Sequence, residues 1–380
     1  MIGWRVISTR AGMFNNRQDA LRLLRTEQRG GKTINERERL LAALTHEETD
    51  RPPCASPMQT GTIDLMKASR AYWPDAHVKP KLMAKLAIAA NKFVGIESVR
   101  VPFDISVDAS SFGAVTGQRG LIRQPGILRR PITTPEDLDK AKVPNPKKDG
   151  RAPVTIAAIQ EISTKIKTVP IICGIIAPFM LASQLRGEQD IIVDVELNPG
   201  FVKGILEKAA EWDIAYAAAA VKAGADVIAM VDSSSSDDVL SPPHYSEFSL
   251  PYQRRVIEAV QKMDVPVILH MCGKIEKNLP HVIKTMANGI SVDQQMDIKW
   301  VKARLKDKTA TIGNVSPTTT LLFGTPADVA AETRTCIEGG ADVIAPCCGF
   351  ALETPIENMK AMAMVTVKHG KDWTDLMRGR

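Results

Sequence analysis

Short β-rich runs alternate with helical ones along almost the whole of this chain, and few folds accommodate that pattern. The β-rich runs fall at residues 53–58, 98–102, 170–175, 226–231, 266–270, 289–293, 309–314 and 342–346. Helical spacing fills the gaps, for example over 201–222, 245–263, 299–306, 327–338 and 355–369. The phrases Ala223-Gly224-Ala225-Asp226-Val227-Ile228 and Gly339-Gly340-Ala341-Asp342-Val343-Ile344 repeat one signature of helix end, tight turn and buried strand. Eight exchanges predict a (β/α)8 TIM barrel, because parallel strands need helical crossovers and burial on both faces. A doubly wound open sheet is the rival, but no glycine-rich dinucleotide fingerprint follows the first run.

The chain has 380 residues, 44% of them hydrophobic. That is enough for one large core, and α/β barrels run past about 250 residues as a single unit. The segment Asn35-Glu36-Arg37-Glu38 reads as an N-cap with its acidic partner, so the barrel domain is expected to span 35–380. Within it, the Gly- and Pro-rich stretch 103–150 reads as a long excursion over the barrel. Six cysteines are too few for a secreted disulfide scaffold in a chain of this length. No early apolar stretch has the length of a signal core or a membrane span, so a cytoplasmic protein is expected.

The formal net charge of +6 is mostly local. Residues 1–34 hold seven basic side chains, from Arg5 to Lys32, against only Asp19 and Glu27. This N-terminal extension is open to several readings: a targeting peptide, a docking arm for an acidic partner, a poorly ordered solvated tail, or an upstream start with Met13 as a later one. Nucleic-acid binding finds no support elsewhere, since aromatic residues are 5% and no basic, aromatic-interleaved stretch follows the arm.

Chemistry in such a barrel sits where the strands end at the C-terminal face. The fifth run leads into His270-Met271-Cys272, and two-residue alternation puts His270 and Cys272 on one side. The eighth ends in Ala345-Pro346-Cys347-Cys348-Gly349, bringing sulfur to the same rim. One imidazole and two thiolates make a zinc-ligand set. The competing reading makes these cysteines small buried hydrophobes and His270 a hydrogen-bonded core histidine. Cys54, Cys173 and Cys336 read as structural, and His46, His77, His281 and His369 as surface residues. Asp232 and Asp293 follow the fourth run and close the sixth, where an acid serves as ligand, as partner to a ligand or as a cap. The stretch Gly313-Asn314-Val315-Ser316-Pro317-Thr318-Thr319-Thr320 suits either an anion held by backbone N–H groups or a plain helix cap.

The same residues resemble the methylcobamide:coenzyme M methyltransferases. The likeness rests on His270-Met271-Cys272-Gly273, Ser291-Val292-Asp293-Gln294, Ile312-Gly313-Asn314-Val315-Ser316-Pro317, Gly324-Thr325-Pro326 and Ala345-Pro346-Cys347-Cys348-Gly349, with Glu353-Thr354-Pro355. Upstream, Ala71-Tyr72-Trp73-Pro74-Asp75-Ala76-His77 and Glu97-Ser98-Val99-Arg100-Val101-Pro102-Phe103 look most like the branch serving methylamine and methanol pathways. That family sits in the uroporphyrinogen decarboxylase superfamily, a barrel superfamily. The decarboxylases carry arginines after the first strand, whereas this chain reads Pro57-Met58-Gln59-Thr60-Gly61-Thr62, which argues against a porphyrinogen substrate.

The resemblance implies His270, Cys272 and Cys348 as zinc ligands, with Cys347 standing where the family has Gly. The fourth position is then open or loosely filled by Asp293. Zinc with two thiolates and a neutral imidazole sums to zero charge, so the site would still take up a substrate thiol as thiolate. That thiolate would attack the methyl group of a methyl-Co(III) corrinoid protein docked over the barrel mouth, in methylotrophic methanogenesis. Asn314, Ser316 and Asp232 are the candidates for contacts to coenzyme M. Alternatives are another thiol acceptor, a metal-free decarboxylase, and a corrinoid-binding module without turnover. The last conflicts with the lack of a cobalamin-binding Asp-x-His-x-x-Gly motif.

Overall fold

The computed structural model describes residues 34–117 and 123–378; the basic arm, save its last residue, lies outside them. Residues Glu36–Arg380 form one compact unit. Its centre is a parallel sheet of six strands in the order β1 (Val99–Val101), β4 (Ile171–Ile176), β5 (Val227–Asp232), β6 (Val267–Met271), β7 (Gly289–Val292) and β8 (Ala310–Ile312). The remaining two, β2 (Val115–Gly117) and β3 (Gly126–Arg129), make a small antiparallel ribbon inside the 103–150 excursion.

The first and eighth β-rich runs close the circle by isolated bridges rather than full ladders. Ile312 pairs with Val343, and Ile344 pairs with Cys54. From there the Glu97 amide donates to the Cys54 carbonyl at 2.6 Å, next to β1. Pro52, Pro53, Pro57 and Pro346 explain the short pairing, since proline brings no N–H to a ladder. All eight runs therefore stand in the barrel wall, two of them through isolated bridges.

Side-chain alternation sorts the wall into an inner and an outer core. Ile172, Val227, Ala229, Ile268, Ala310, Ile312 and Val343 pack inside, and Leu40 and Leu44 of the helix Glu36–Leu44 plug the same cluster. Val99, Val101, Cys173, Met230, Leu269 and Met271 face the surrounding helices. Near the plug, Glu97 accepts from Arg39 at 2.7 Å and from Arg51 at 2.7 and 2.8 Å, all three buried. The helical stretch expected over 245–263 is interrupted: Tyr245–Ser249 is a π-helical turn, followed by the helix Leu250–Gln261. Pro251 cannot donate to residue 247 and its ring crowds that carbonyl, so the turn opens by one residue.

His77 corrects one expectation. It is buried, not at the surface, with Nδ1 3.0 Å from the Asp104 carboxylate. Arg151 grips the same carboxylate through two nitrogens at 2.8 Å. Asp104 is thus the rivet that ties the start of the excursion to the barrel. Burial alone would raise its pKa, but the hydrogen bonds from Arg151 and His77 hold it well below the usual carboxylate range.

Candidate metal centre

Strand β6 fixes the first donor. Ile268 lies in the inner core and Leu269 and Met271 in the outer one, so His270 points inward by alternation. The ring is oriented by its neighbour on β7: Nδ1 lies 3.0 Å from Ser291 Oγ, and the two residues are register partners. The other nitrogen, Nε2, is buried and has no hydrogen-bond partner among the described residues. His77 Nε2 is likewise buried and unpartnered, but the His270 nitrogen has two thiols beside it, which fits a soft divalent cation.

Cys272 and Cys348 supply those thiols. One ligand atom from each of His270, Cys272 and Cys348 lies within 4.8 Å of the others, the one such group among the described residues. Cys347 turns away, buried, and directs its Sγ to the Gln294 amide oxygen. Adjacent residues of an extended run point oppositely, so only one of the pair reaches the centre. The turn after Cys272 needs Gly273, whose φ of +79° is strained for other residues.

The two clustered thiols differ in acidity. The Cys348 sulfur, hydrogen-bonded by Cys272, is pulled down to about 7. Cys272, its donor, is pushed up by that same interaction. The Asp293 carboxylate also stands 3.6 Å from Cys272 Sγ. Such a pair gives up its protons to a metal, which takes the thiolate form.

The other expected site residues lie around the centre rather than in it. Asp293 accepts from the Gly273 amide at 3.1 Å and the Gln295 amide at 3.0 Å, so it braces the Cys272 turn. Asn314 donates to the carbonyls of Asp293 and Met296 at 3.0 and 2.7 Å, and so holds that loop in place. Ser316 Oγ accepts from Thr319, closing a local turn. Asp232 is fully buried; burial raises its pKa, while Ser235, Ser234 and Gln253 all donate to it. Asn314, Ser316 and Asp232 do not line the cavity over the centre.

That cavity, of about 220 Å³, opens beside His270, Cys272 and Cys348. Apolar walls come from Met58, Phe103, Met180 and Phe350. It also exposes Gln59 and Arg100, neither of which was a sequence candidate. A larger groove of about 540 Å³ between the helices Pro80–Val94 and Ile356–Arg378 is on the outer surface, away from the three donors.

Comparison with known proteins gives a consistent set of likenesses. The family model "Uroporphyrinogen decarboxylase (URO-D)" matches residues 35–369. A curated methylcobamide:CoM methyltransferase MtbA of Methanosarcina mazei is 36% identical over 328 residues, covering 86% of this chain and 96% of that protein. MtaA of Methanosarcina barkeri, also a methylcobamide:CoM methyltransferase, is 37% identical over 327 residues, with 85% and 95% covered. A solved structure, a methyltransferase from Methanosarcina mazei, superposes with a TM-score of 0.85 at 34% identity, covering 89% of this chain and 99% of its own.

Proposed function

The chain belongs to the uroporphyrinogen decarboxylase family and, within it, to the methylcobamide:CoM methyltransferases, and we propose that it moves a methyl group from a corrinoid protein to the thiol of coenzyme M at a zinc centre held by His270, Cys272 and Cys348. The observation that carries this reading is the convergence of the three donors, with a buried unpartnered His270 Nε2, beside a cavity at the barrel mouth. Zinc bound there supplies a Lewis-acid site at which a substrate thiol loses its proton near neutral pH.

The protein's own residues do the rest. Ser291 holds the His270 ring so that Nε2 faces inward. Asp293 and Asn314 brace the loop that carries Cys272, keeping the donor geometry fixed. Apolar walls from Met58, Phe103, Met180 and Phe350 keep water from the sulfur, which leaves a thiolate more nucleophilic than in bulk solvent. The substrate sulfur attacks the methyl carbon; a C–S bond forms, and the Co–C bond breaks with its electron pair left on cobalt. The product thioether is neutral and a weak ligand, so it leaves. The corrinoid comes on a partner docked over the mouth.

We place this reaction in the cytoplasm, in methane formation from methylated substrates. Among the described residues no helix is long and apolar enough to cross a membrane. A decarboxylase reading loses support because the clustered His270, Cys272 and Cys348 border the cavity. The test is metal analysis of the purified protein beside Cys348→Ala. About one zinc per chain is expected in the wild type, and the variant is expected to lose both zinc and thiol methylation. A fully active, zinc-loaded Cys348→Ala protein would contradict the assignment.

A further inference from the structure

We propose that Arg100 is the seat for the negatively charged end of the acceptor, so that the cavity selects a short thiol bearing an oxyanion. This inference rests on the reading of the adjacent centre as a thiol-alkylating site.

Strand β1 places the side chain. Val99 and Val101 face the outer core, so Arg100 points into the barrel, where it is 3% exposed. A buried guanidinium without a counter-charge is costly, and the other buried arginines here are matched. Arg39 and Arg51 both bind Glu97. Arg100, by contrast, has no carboxylate within 4.0 Å among the described residues.

What Arg100 does contact orients it without neutralising it. Nε donates to the Pro57 carbonyl at 3.2 Å, and Nη1 donates to the Pro102 carbonyl. Among the described residues no acceptor bonds its Nη2. Space for that nitrogen is cut into the facing strand: a Cβ on Gly174 of β4 would come within 2.0 Å of it. Glycine at the inward-facing position 174 therefore leaves the guanidinium its seat.

The charge count around the cavity then points to the ligand. Among the described residues no acidic side chain lines it, and Arg100 is its one basic lining residue other than His270. A dication with two thiolates and a neutral imidazole carries no net charge, so among the described lining residues the guanidinium is the full charge that faces the cavity, with Asp104 and Asp108 acting on it only from outside the lining. Arg is suited to planar or tetrahedral oxyanions because its forked N–H groups bind two oxygens at once. A thiol with a sulfonate or carboxylate a short chain away meets both features: sulfur at the centre, oxyanion at Arg100.

Three thiols and one thiol-free probe test this: 2-mercaptoethanesulfonate, 3-mercaptopropionate, 2-mercaptoethanol and ethanesulfonate. In zinc-loaded Arg100→Gln, the kcat/KM ratio of the preferred oxyanionic thiol to mercaptoethanol is expected to fall by about 10- to 100-fold. Arg100→Lys should recover part of that ratio. Gly174→Ala, which takes the seat but keeps the arginine, should lower it in the same direction. Whichever oxyanionic thiol the wild type prefers identifies sulfonate or carboxylate. Equal losses for charged and neutral thiols, or no loss, would overturn the proposal. Calorimetric binding of ethanesulfonate separates it from methyl transfer. If the wild type binds the probe and Arg100→Gln does not, Arg100 is the anion seat even in a protein that methylates no thiol. If methyl transfer proceeds and both proteins bind the probe alike, the seat is wrong and the methyl-transfer reading stands.

Discussion

The imidazole of His270 has one nitrogen tied to Ser291 and one left for a ligand, and this asymmetry makes a testable claim about Ser291. Ser291→Ala removes the group that fixes the ring. Zinc affinity, measured by competition with a chelator, is expected to fall about 10- to 100-fold while the fold is kept. An unchanged affinity would show that the ring is held by packing alone. A second prediction concerns Asp108, whose Oδ1 accepts from Trp212 Nε1 at 3.1 Å inside the shell. Burial raises its pKa to about 7. The folded state therefore favours the protonated form. Its stabilising contribution is full below about pH 4, the unfolded value, and is lost as pH rises through 7. Asp108→Asn, which keeps an acceptor for Trp212, should be more stable than wild type at pH 8 by about 2 to 4 kcal/mol and should lose that advantage near pH 4. Denaturant unfolding at the two pH values measures it; the same difference at both would contradict the assignment.

Among the elements, the first and eighth runs join the wall through isolated bridges rather than full ladders. The carboxylate of Glu97 takes over much of their stitching. It accepts from the Cys54 amide at 2.9 Å while holding Arg39, on the plug helix, and Arg51, just before the first run. Glu97→Gln leaves the buried Arg51 without its counter-charge and Arg39 with Asp50 alone, and is expected to destabilise the protein by about 3 kcal/mol. A loss below about 1 kcal/mol in chemical denaturation would show that the closure does not depend on this cluster. Element by element, the repeating strand–helix exchange was legible because buried parallel strands write continuous apolar runs. The break at Tyr245–Ser249 was not, since Pro251 also reads as a residue of a first helical turn.

Across the whole molecule, the convergence of His270, Cys272 and Cys348 was legible because His270 and Cys272 keep the two-residue period of a strand and Cys348 ends another run. Arg100 was not. A charged residue between two valines normally reads as the wet face of a half-buried strand, whereas a barrel buries both faces of β1. Asn314 and Ser316 show why a polar residue after a strand carries two readings: it suits a ligand, and here it also closes on neighbouring backbone and hydroxyl groups. Which loop residues face inward depends on contacts between distant segments, and these carry no local period.

Zinc-dependent transfer of a methyl group from cobalt to a thiol is read directly by the visible spectrum of methylcobalamin. Purified protein is incubated anaerobically with methylcobalamin and coenzyme M, with and without a zinc chelator. The methyl-Co(III) bands are expected to be lost only when both the protein and the thiol are present, and the loss is expected to stop when the metal is removed. Bands that persist in the presence of zinc-loaded protein, or that fade equally after chelation, would contradict it.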